Sequence, residues 1–228
     1  MKYILSIDAG TTGITILLIN SKLMIIDKEN SEFNQIYPNP GWVEHDPIEI
    51  WEVTLNLINI ILKRNNNIAI SCIGITNQRE TTVMWNKHNG QPVYNAIVWQ
   101  DKRTNDMCND IINKGHSSII NKKTGLVIDS YFSATKIKWI IDNVDDVPDA
   151  IKNNKILFGT IDTWLLWKLT GDQIHKTDYT NASRTLIFNI ESKSWDNDLL
   201  GLFDIPKSLL PEVCSSSHIF GFTDEKIV

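Results

Sequence analysis

At 228 residues the chain is long enough for one large domain or two small ones with a sizeable core. Hydrophobic residues at 42% and charged residues at 21% argue against disorder. A net charge of −5 without a Lys/Arg cluster argues against broad nucleic-acid binding. Cys72, Cys108 and Cys214 are far apart and form no CxxC, which argues against a disulfide framework or zinc site. They read as buried, reduced thiols, suited to a cytoplasmic location. The opening MKYILSIDAG has an apolar run too short for a signal-peptide core, and no stretch approaches the ~20 apolar residues of a membrane span.

Residues 3–8 read as a strand ending in Asp-Ala-Gly-Thr-Thr-Gly, and two further apolar runs follow at 14–19 and 22–27. Turns are expected at 10–13 and 20–22, so the chain opens with an antiparallel meander. Asp46-Pro47-Ile48-Glu49 is a helix start: Asp46 as cap, Pro47 in the first turn, Glu49 in the capping-box position. Trp51, Leu55, Ile58 and Leu62 then repeat on one apolar face. Residues 68–76 read as a buried strand. Residues 82–85 and 97–99 flank an Asn89-Gly90 turn. Helices are expected over 102–114, ended by Gly115, and over 133–144, with Ser133 as its N-cap. A short amphipathic helix is expected over 162–170, closed by Gly171. The order makes this an α/β chain.

Two constellations carry chemistry. Asp8-Ala9-Gly10-Thr11-Thr12-Gly13 joins two strands in a tight turn. Its glycines let backbone N–H groups approach a phosphate, its threonines add hydroxyls, and Asp8 can hold Mg²⁺. A plain Gly-rich turn is the alternative. There is no G-K-[ST], and a strand follows instead of a helix, so this is not a Walker A loop. It points to a ribonuclease H-like, actin-like ATPase domain.

The second is Thr76-Asn77-Gln78-Arg79-Glu80-Thr81, dense in hydrogen-bonding groups at a strand end. Arg79 as donor and Glu80 as acceptor can pair with the adjacent hydroxyls of a polyol, or with each other at the surface. Trp99 can cover the C–H face of a small substrate or pack in the core. Tyr131 can offer its hydroxyl to a substrate. Arginine occurs only at positions 64, 79, 103 and 184, which makes each one worth following; Arg103 reads as a partner of Asp101 or a helix cap. No Ser-His-Asp arrangement supports a hydrolase.

Six ordered segments bear a resemblance: Asp8–Gly13, Gln35–Pro38 with Gly41–Pro47, Gly74–Thr82, Tyr94–Gln100, Tyr131–Trp139 and Thr177–Thr185. Together they resemble the FGGY carbohydrate kinases, and within that family the members acting on glycerol. The resemblance implies a mixed sheet opening with the meander, helices on both faces, and 1–228 as the N-terminal domain of a two-lobed enzyme with its C-terminal lobe absent from this chain. It implies ATP and Mg²⁺ as cofactors and glycerol as substrate, giving sn-glycerol 3-phosphate. Gly10, Thr11, Thr12 and Gly13 would meet the nucleotide, Asp8 the metal, and Arg79, Glu80, Trp99 and Tyr131 the glycerol. It leaves room for a homo-oligomer of the full-length protein, with no nucleic-acid partner. Another sugar or polyol kinase of the family, or a fragment that only binds ligand, are the alternatives.

Three departures accompany it. Gly13, Ile14 and Thr15 stand where the family usually has two small polar residues and a nucleotide-reaching arginine. Ser130 stands where proline is usual, a change expected to loosen the loop of Tyr131. The aspartate expected to act as general base belongs to a Gly-Asp-Gln segment expected after Val228, so the isolated chain is expected not to turn over.

Overall fold

The computed structural model describes residues 2–66 and 68–227. Strands β1 (Lys2–Ala9), β2 (Gly13–Asn20) and β3 (Ile25–Glu32) form the expected meander. β3 begins three residues later than the apolar run suggests. The Asn20 side chain accepts from the backbone N–H groups of Lys22 and Met24, and Leu23 takes a positive φ of 60°, so the turn consumes the start of that run. The strand is then largely polar and lies at the sheet edge, where Arg64 pairs with Asp27 and Glu29.

After β4 (Glu44–His45), helix α1 (Pro47–Arg64) starts at Asp46, whose carboxylate accepts from the Ile48 N–H at 2.8 Å. Glu49 does not close a capping box. It accepts instead from the backbone and side chain of Asn34. The buried side is Ile50, Thr54, Leu57, Ile58 and Ile61, which keeps Ile58 of the expected face but is centred to one side of it, so Trp51, Leu55 and Leu62 are only half-buried.

Strand β5 (Ala69–Asn77) completes a four-stranded sheet in the order β3-β2-β1-β5. It pairs parallel with β1, and the other neighbours are antiparallel. As an edge strand it is not buried. Cys72 is exposed, contrary to the expectation for all three thiols, while Cys108 and Cys214 are buried.

Beyond it come β6 (Val83–Asn86), β7 (Ala96–Ile97), α2 (Asn105–Asn113), α3 (Ser117–Thr124), α4 (Ser133–Asn143), α5 (Val147–Lys152), β8 (Ile156–Gly159) and α6 (Ile161–Leu169). α6 is closed by Gly171 at φ +65°. It is buried nearly all round and not amphipathic, because it lies between α1 and β8, with the Trp164 indole donating to the Pro47 carbonyl. The chain continues through β9 (Lys176–Asp178), α7 (Tyr179–Ala182), β10 (Phe188–Asn189), β11 (Ser194–Trp195), α8 (Asn197–Phe203) and β12 (Glu212–Cys214).

Two apolar cores result. One joins the sheet to α1 and α6 through residues such as Leu5, Ile16, Ile58 and Trp164. The other gathers Ile137 and Ile140 of α4 with Phe158, Leu186 and Phe203. No described helix is long and apolar enough to cross a membrane.

Candidate functional site at the carboxyl ends of two parallel strands

The parallel pairing puts Asp8 opposite Thr76 and Ala9 opposite Asn77. The two motifs, far apart in sequence, therefore emerge side by side at the carboxyl ends of β1 and β5, where open α/β sheets place their ligand crevices. The hairpin between β1 and β2 has a tight floor: a Cβ at position 13 would lie 2.5 Å from the Ser31 carbonyl oxygen. Gly13 thus lets β3 approach the turn. Asp8 is exposed and has neither an ion pair nor a side-chain hydrogen bond among the described residues.

A relay of side chains holds the hairpin from behind. Gln78 Nε2 donates to the Gly10 carbonyl and to His45 Nδ1. His45 Nε2 donates to Gln35 Oε1 at 2.7 Å, and Gln35 Nε2 donates to the Thr11 carbonyl at 3.1 Å. The relay admits one consistent reading, a neutral imidazole with its proton on Nε2. Burial pushes the His45 pKa down to about 4, which agrees.

Glu80 follows β5 in a left-handed turn at φ +67°, buried to 2% exposure. Such a backbone is costly for a residue with a Cβ and persists only when its surroundings hold it. Arg184 Nε donates to Glu80 Oε1 at 2.6 Å, and Ser133 Oγ donates to the Glu80 carbonyl at 3.0 Å. Ser133 is therefore the first residue of α4, a strut and not its cap; the cap is Phe132. Arg79 points the other way. It is exposed and lines a groove along β5 together with Thr76, Asn77 and Asp162. Arg79 and Glu80 are thus not a surface ion pair.

Trp99 and Tyr131 come together with ring centroids 5.3 Å apart, and the Trp99 indole Nε1 donates to Thr11 Oγ1 at 3.0 Å. The Arg184 guanidinium lies over Phe132 at 4.9 Å and the Tyr131 ring at 5.7 Å. Thr11, Trp99, Tyr131, Arg184 and Glu80 thus form one continuous wall.

The turn carrying Tyr131 is tied at several points around Ser130. Ser130 is buried, and Asp129 accepts from the Tyr131 N–H at 2.8 Å. Lys136, fully buried, donates to the carbonyls of Tyr131 and Phe132 at 2.6 and 3.1 Å. Burial pushes its pKa down to about 7, against the opposing fields of Asp101 and Glu80. Arg103 is stacked 3.9 Å over Trp42 and bonded to Asp101 and Glu44. That makes Arg103 the partner of Asp101, as expected, and gives the Gly41–Pro47 segment a scaffolding role.

A Gly-Asp-Gln triplet does occur at Gly171–Gln173, but it ends α6, and Asp172 pairs with Lys168. Asp162, at the opposite end of that helix ~15 Å away, is the carboxylate nearer the site. It accepts from Asn77, Thr160 and Thr177, and burial pushes its pKa up to about 6.

The model of the N-terminal domain of the FGGY family of carbohydrate kinases matches residues 3–228. The chain belongs to that family. Among curated relatives, glycerol kinase 2 of Thermotoga maritima is 52% identical over 229 residues, covering all of this chain and 46% of that protein. The glycerol kinase of Petrotoga mobilis is 54% identical over 228 residues, covering 99% and 46%. The FGGY chain described here therefore spans about half the length of the curated relatives it matches. The crystal structure of Plasmodium falciparum glycerol kinase with ADP superposes with a TM-score of 0.97 at 39% identity, over 100% of this chain and 46% of that one. Xylulose kinase from Lactobacillus acidophilus, at 23% identity and a TM-score of 0.88, over 100% and 45%, shares the fold. The mixed sheet is that of the sugar kinases with an actin-like ATPase fold, as the FGGY resemblance implies.

Gln35, His45, Gln78, Lys136 and Arg184 all lie within segments that the sequence reading names, but it gives none of them its part in holding this FGGY site; only the scarcity of arginine marks Arg184 individually.

Proposed function

We propose that this chain supplies the phosphate-hairpin and polyol-binding half of an ATP-dependent glycerol kinase, transferring the γ-phosphoryl group to give sn-glycerol 3-phosphate. The observation that carries the reading is the continuous wall from Thr11 through Trp99 and Tyr131 to Glu80, in a chain about half identical to proteins named glycerol kinase.

In this reading Gly10, Thr11, Thr12 and Gly13 cradle the nucleotide phosphates with N–H and hydroxyl donors. The exposed Asp8 carboxylate, without a side-chain partner among the described residues, fits a hard cation that keeps most of its waters, and Mg²⁺ there would neutralise phosphate charge. Glu80 is the acceptor for a glycerol hydroxyl; Arg79, exposed in the groove along β5, would have to turn towards the wall to donate to the neighbouring one. Trp99 and Tyr131 close over the carbon chain and exclude water.

Positioning and charge do most of the work in phosphoryl transfer, but a base must still take the hydroxyl proton. Glu80 is engaged by Arg184, and Asp162 by three donors. We therefore assign the base to a segment outside these 228 residues. The test is calorimetric titration of the purified chain with glycerol, xylulose and gluconate, alongside an ATP-consumption assay with Mg²⁺. Glycerol binding in preference to the other two, without turnover, is the expected result. Preferred binding of a ketose or an acid sugar overturns the substrate, and glycerol-dependent ATP consumption by this chain overturns the placement of the base.

A further inference from the structure

The bond between Trp99 and Thr11 crosses from the polyol side of the site to the phosphate side. An indole N–H can only donate, whereas a threonine hydroxyl has one proton and two acceptor lone pairs. At 3.0 Å from Trp99 Nε1, Thr11 Oγ1 is therefore the acceptor. Its own proton stays available, and no described residue takes it. A phosphate oxygen at neutral pH is an acceptor. The indole thus gives the Thr11 hydroxyl the polarity that a phosphate requires.

The geometry around the pair is built to keep it. The Thr11 carbonyl is held by Gln35. Trp99 leaves β7 beside two backbone bonds, Val98 N–H to the Val43 carbonyl and Asp101 N–H to the Val98 carbonyl, both at 3.0 Å. The indole face rests against Tyr131, so the ring cannot swing away from the hairpin without losing that contact.

We infer that Trp99 is a positioning residue for the nucleotide as well as a wall of the polyol pocket: its indole N–H orients the Thr11 hydroxyl as a donor to the transferred phosphate. This rests on the functional reading above, and it predicts that nucleotide and polyol affinities are separable at one side chain. Trp99→Phe keeps an aromatic wall but removes the donor; Thr11→Val removes the acceptor at nearly constant shape; Thr11→Ser keeps it.

The experiment has a ligand-free arm and a titration arm, both on the 228-residue chain. With ¹⁵N-labelled tryptophan, the Trp99 indole resonance is assigned by its loss in Trp99→Phe. In Thr11→Val it must shift and exchange faster with solvent, and in Thr11→Ser it must stay. MgATP and glycerol are then titrated separately into the unsubstituted chain, both single variants and the double variant. Trp99→Phe is expected to weaken MgATP about five-fold when Thr11 is present, the worth of one neutral hydrogen bond, and less than two-fold in the Thr11→Val background. Its effect on glycerol is expected to be the same in both backgrounds.

An indole resonance unmoved by Thr11→Val overturns the inference without any ligand. So do equal MgATP losses in the two backgrounds. If the unsubstituted chain binds glycerol but not MgATP, the assignment of the hairpin to phosphate falls, and the role of Trp99 with it. If it binds MgATP with the expected coupling but not glycerol, the polyol reading falls and the Trp99–Thr11 relay stands.

Discussion

Arg184 and Glu80 are 104 residues apart in the chain, yet Arg184 Nε sits 2.6 Å from Glu80 Oε1. The carboxylate side chain is almost wholly buried, and the arginine is 26% exposed. Removing one partner of such a pair leaves an uncompensated charge, which costs several kcal/mol when both are buried. Solvent at Arg184 reduces this to about 2 kcal/mol. Arg184→Met is expected to lose that much stability in urea denaturation and to weaken glycerol roughly ten-fold, because Glu80 loses its orientation. The Arg184→Met/Glu80→Gln double variant should lose less stability than the two single losses summed. Full additivity would show that the pair does not couple.

Lys136 offers a pH test. Its pKa is held down at about 7 by burial, below its ordinary value near 10.5. Between those values the unfolded chain binds a proton that the folded chain releases, so stability rises with pH from 7 towards 10 and is lost as pH falls through that range. The slope is at most about 1.4 kcal/mol per pH unit. Lys136→Met should abolish this component and, by freeing the Tyr131 and Phe132 carbonyls, weaken glycerol. Parallel stability curves for the two proteins between pH 7 and 9 would refute the assignment.

His45 predicts a loss at the acid end. Its folded pKa is about 4 against 6.5, so its contribution is complete above pH 6.5 and is lost as pH falls from 6.5 to 4. Protonation also destroys the acceptor that Gln78 uses at Nδ1, which releases the back of the hairpin. His45→Gln should flatten thermal stability between pH 6.5 and 5 by on the order of 1–2 kcal/mol. His175, also held near pH 4 by burial, contributes in the same window in both proteins and cancels in the comparison.

Gly13→Ala places a methyl group 2.5 Å from the Ser31 carbonyl oxygen. Overpacking against backbone costs about 1–3 kcal/mol. A lowered denaturation midpoint with MgATP affinity also reduced is expected. An unchanged midpoint would mean that β3 yields freely.

What was legible in the sequence follows the range over which each signal acts. Asp46 and Pro47 announce α1 because capping is settled within one turn. The Gly/Thr hairpin announces itself because few residues tolerate that turn. On α1 the expected and observed faces share Ile58 and differ at their edges, since Trp51 and Leu62 are as apolar as Ile50 and Ile61, and only the partner decides which line is covered. β5 looked buried because an apolar strand reads the same at an edge as at the centre. Glu49 and Ser133 were assigned local capping bonds and found distant partners instead. The Gln35–His45–Gln78 relay and the Arg184–Glu80 pair join elements that no spacing rule connects.

The register between β1 and β5 also sets how this domain can change. Asp8 faces Thr76 and Ala9 faces Asn77, so the two loops of the candidate site keep their relative height by backbone pairing, with Gln78 adding bonds to the Ala9 and Gly10 carbonyls. Between Tyr3 and Ile4 the register shifts by one residue, so the 9 residues of β5 match the 8 of β1 with the extra one taken up at the end remote from the site. The turn at 20–24, with Leu23 and Met24 exposed, has no such bond to the site. A residue inserted between that shift and the site would raise one loop by ~3.3 Å and turn the side chains after it to the opposite face, whereas the turn at 20–24 can lengthen without moving either loop.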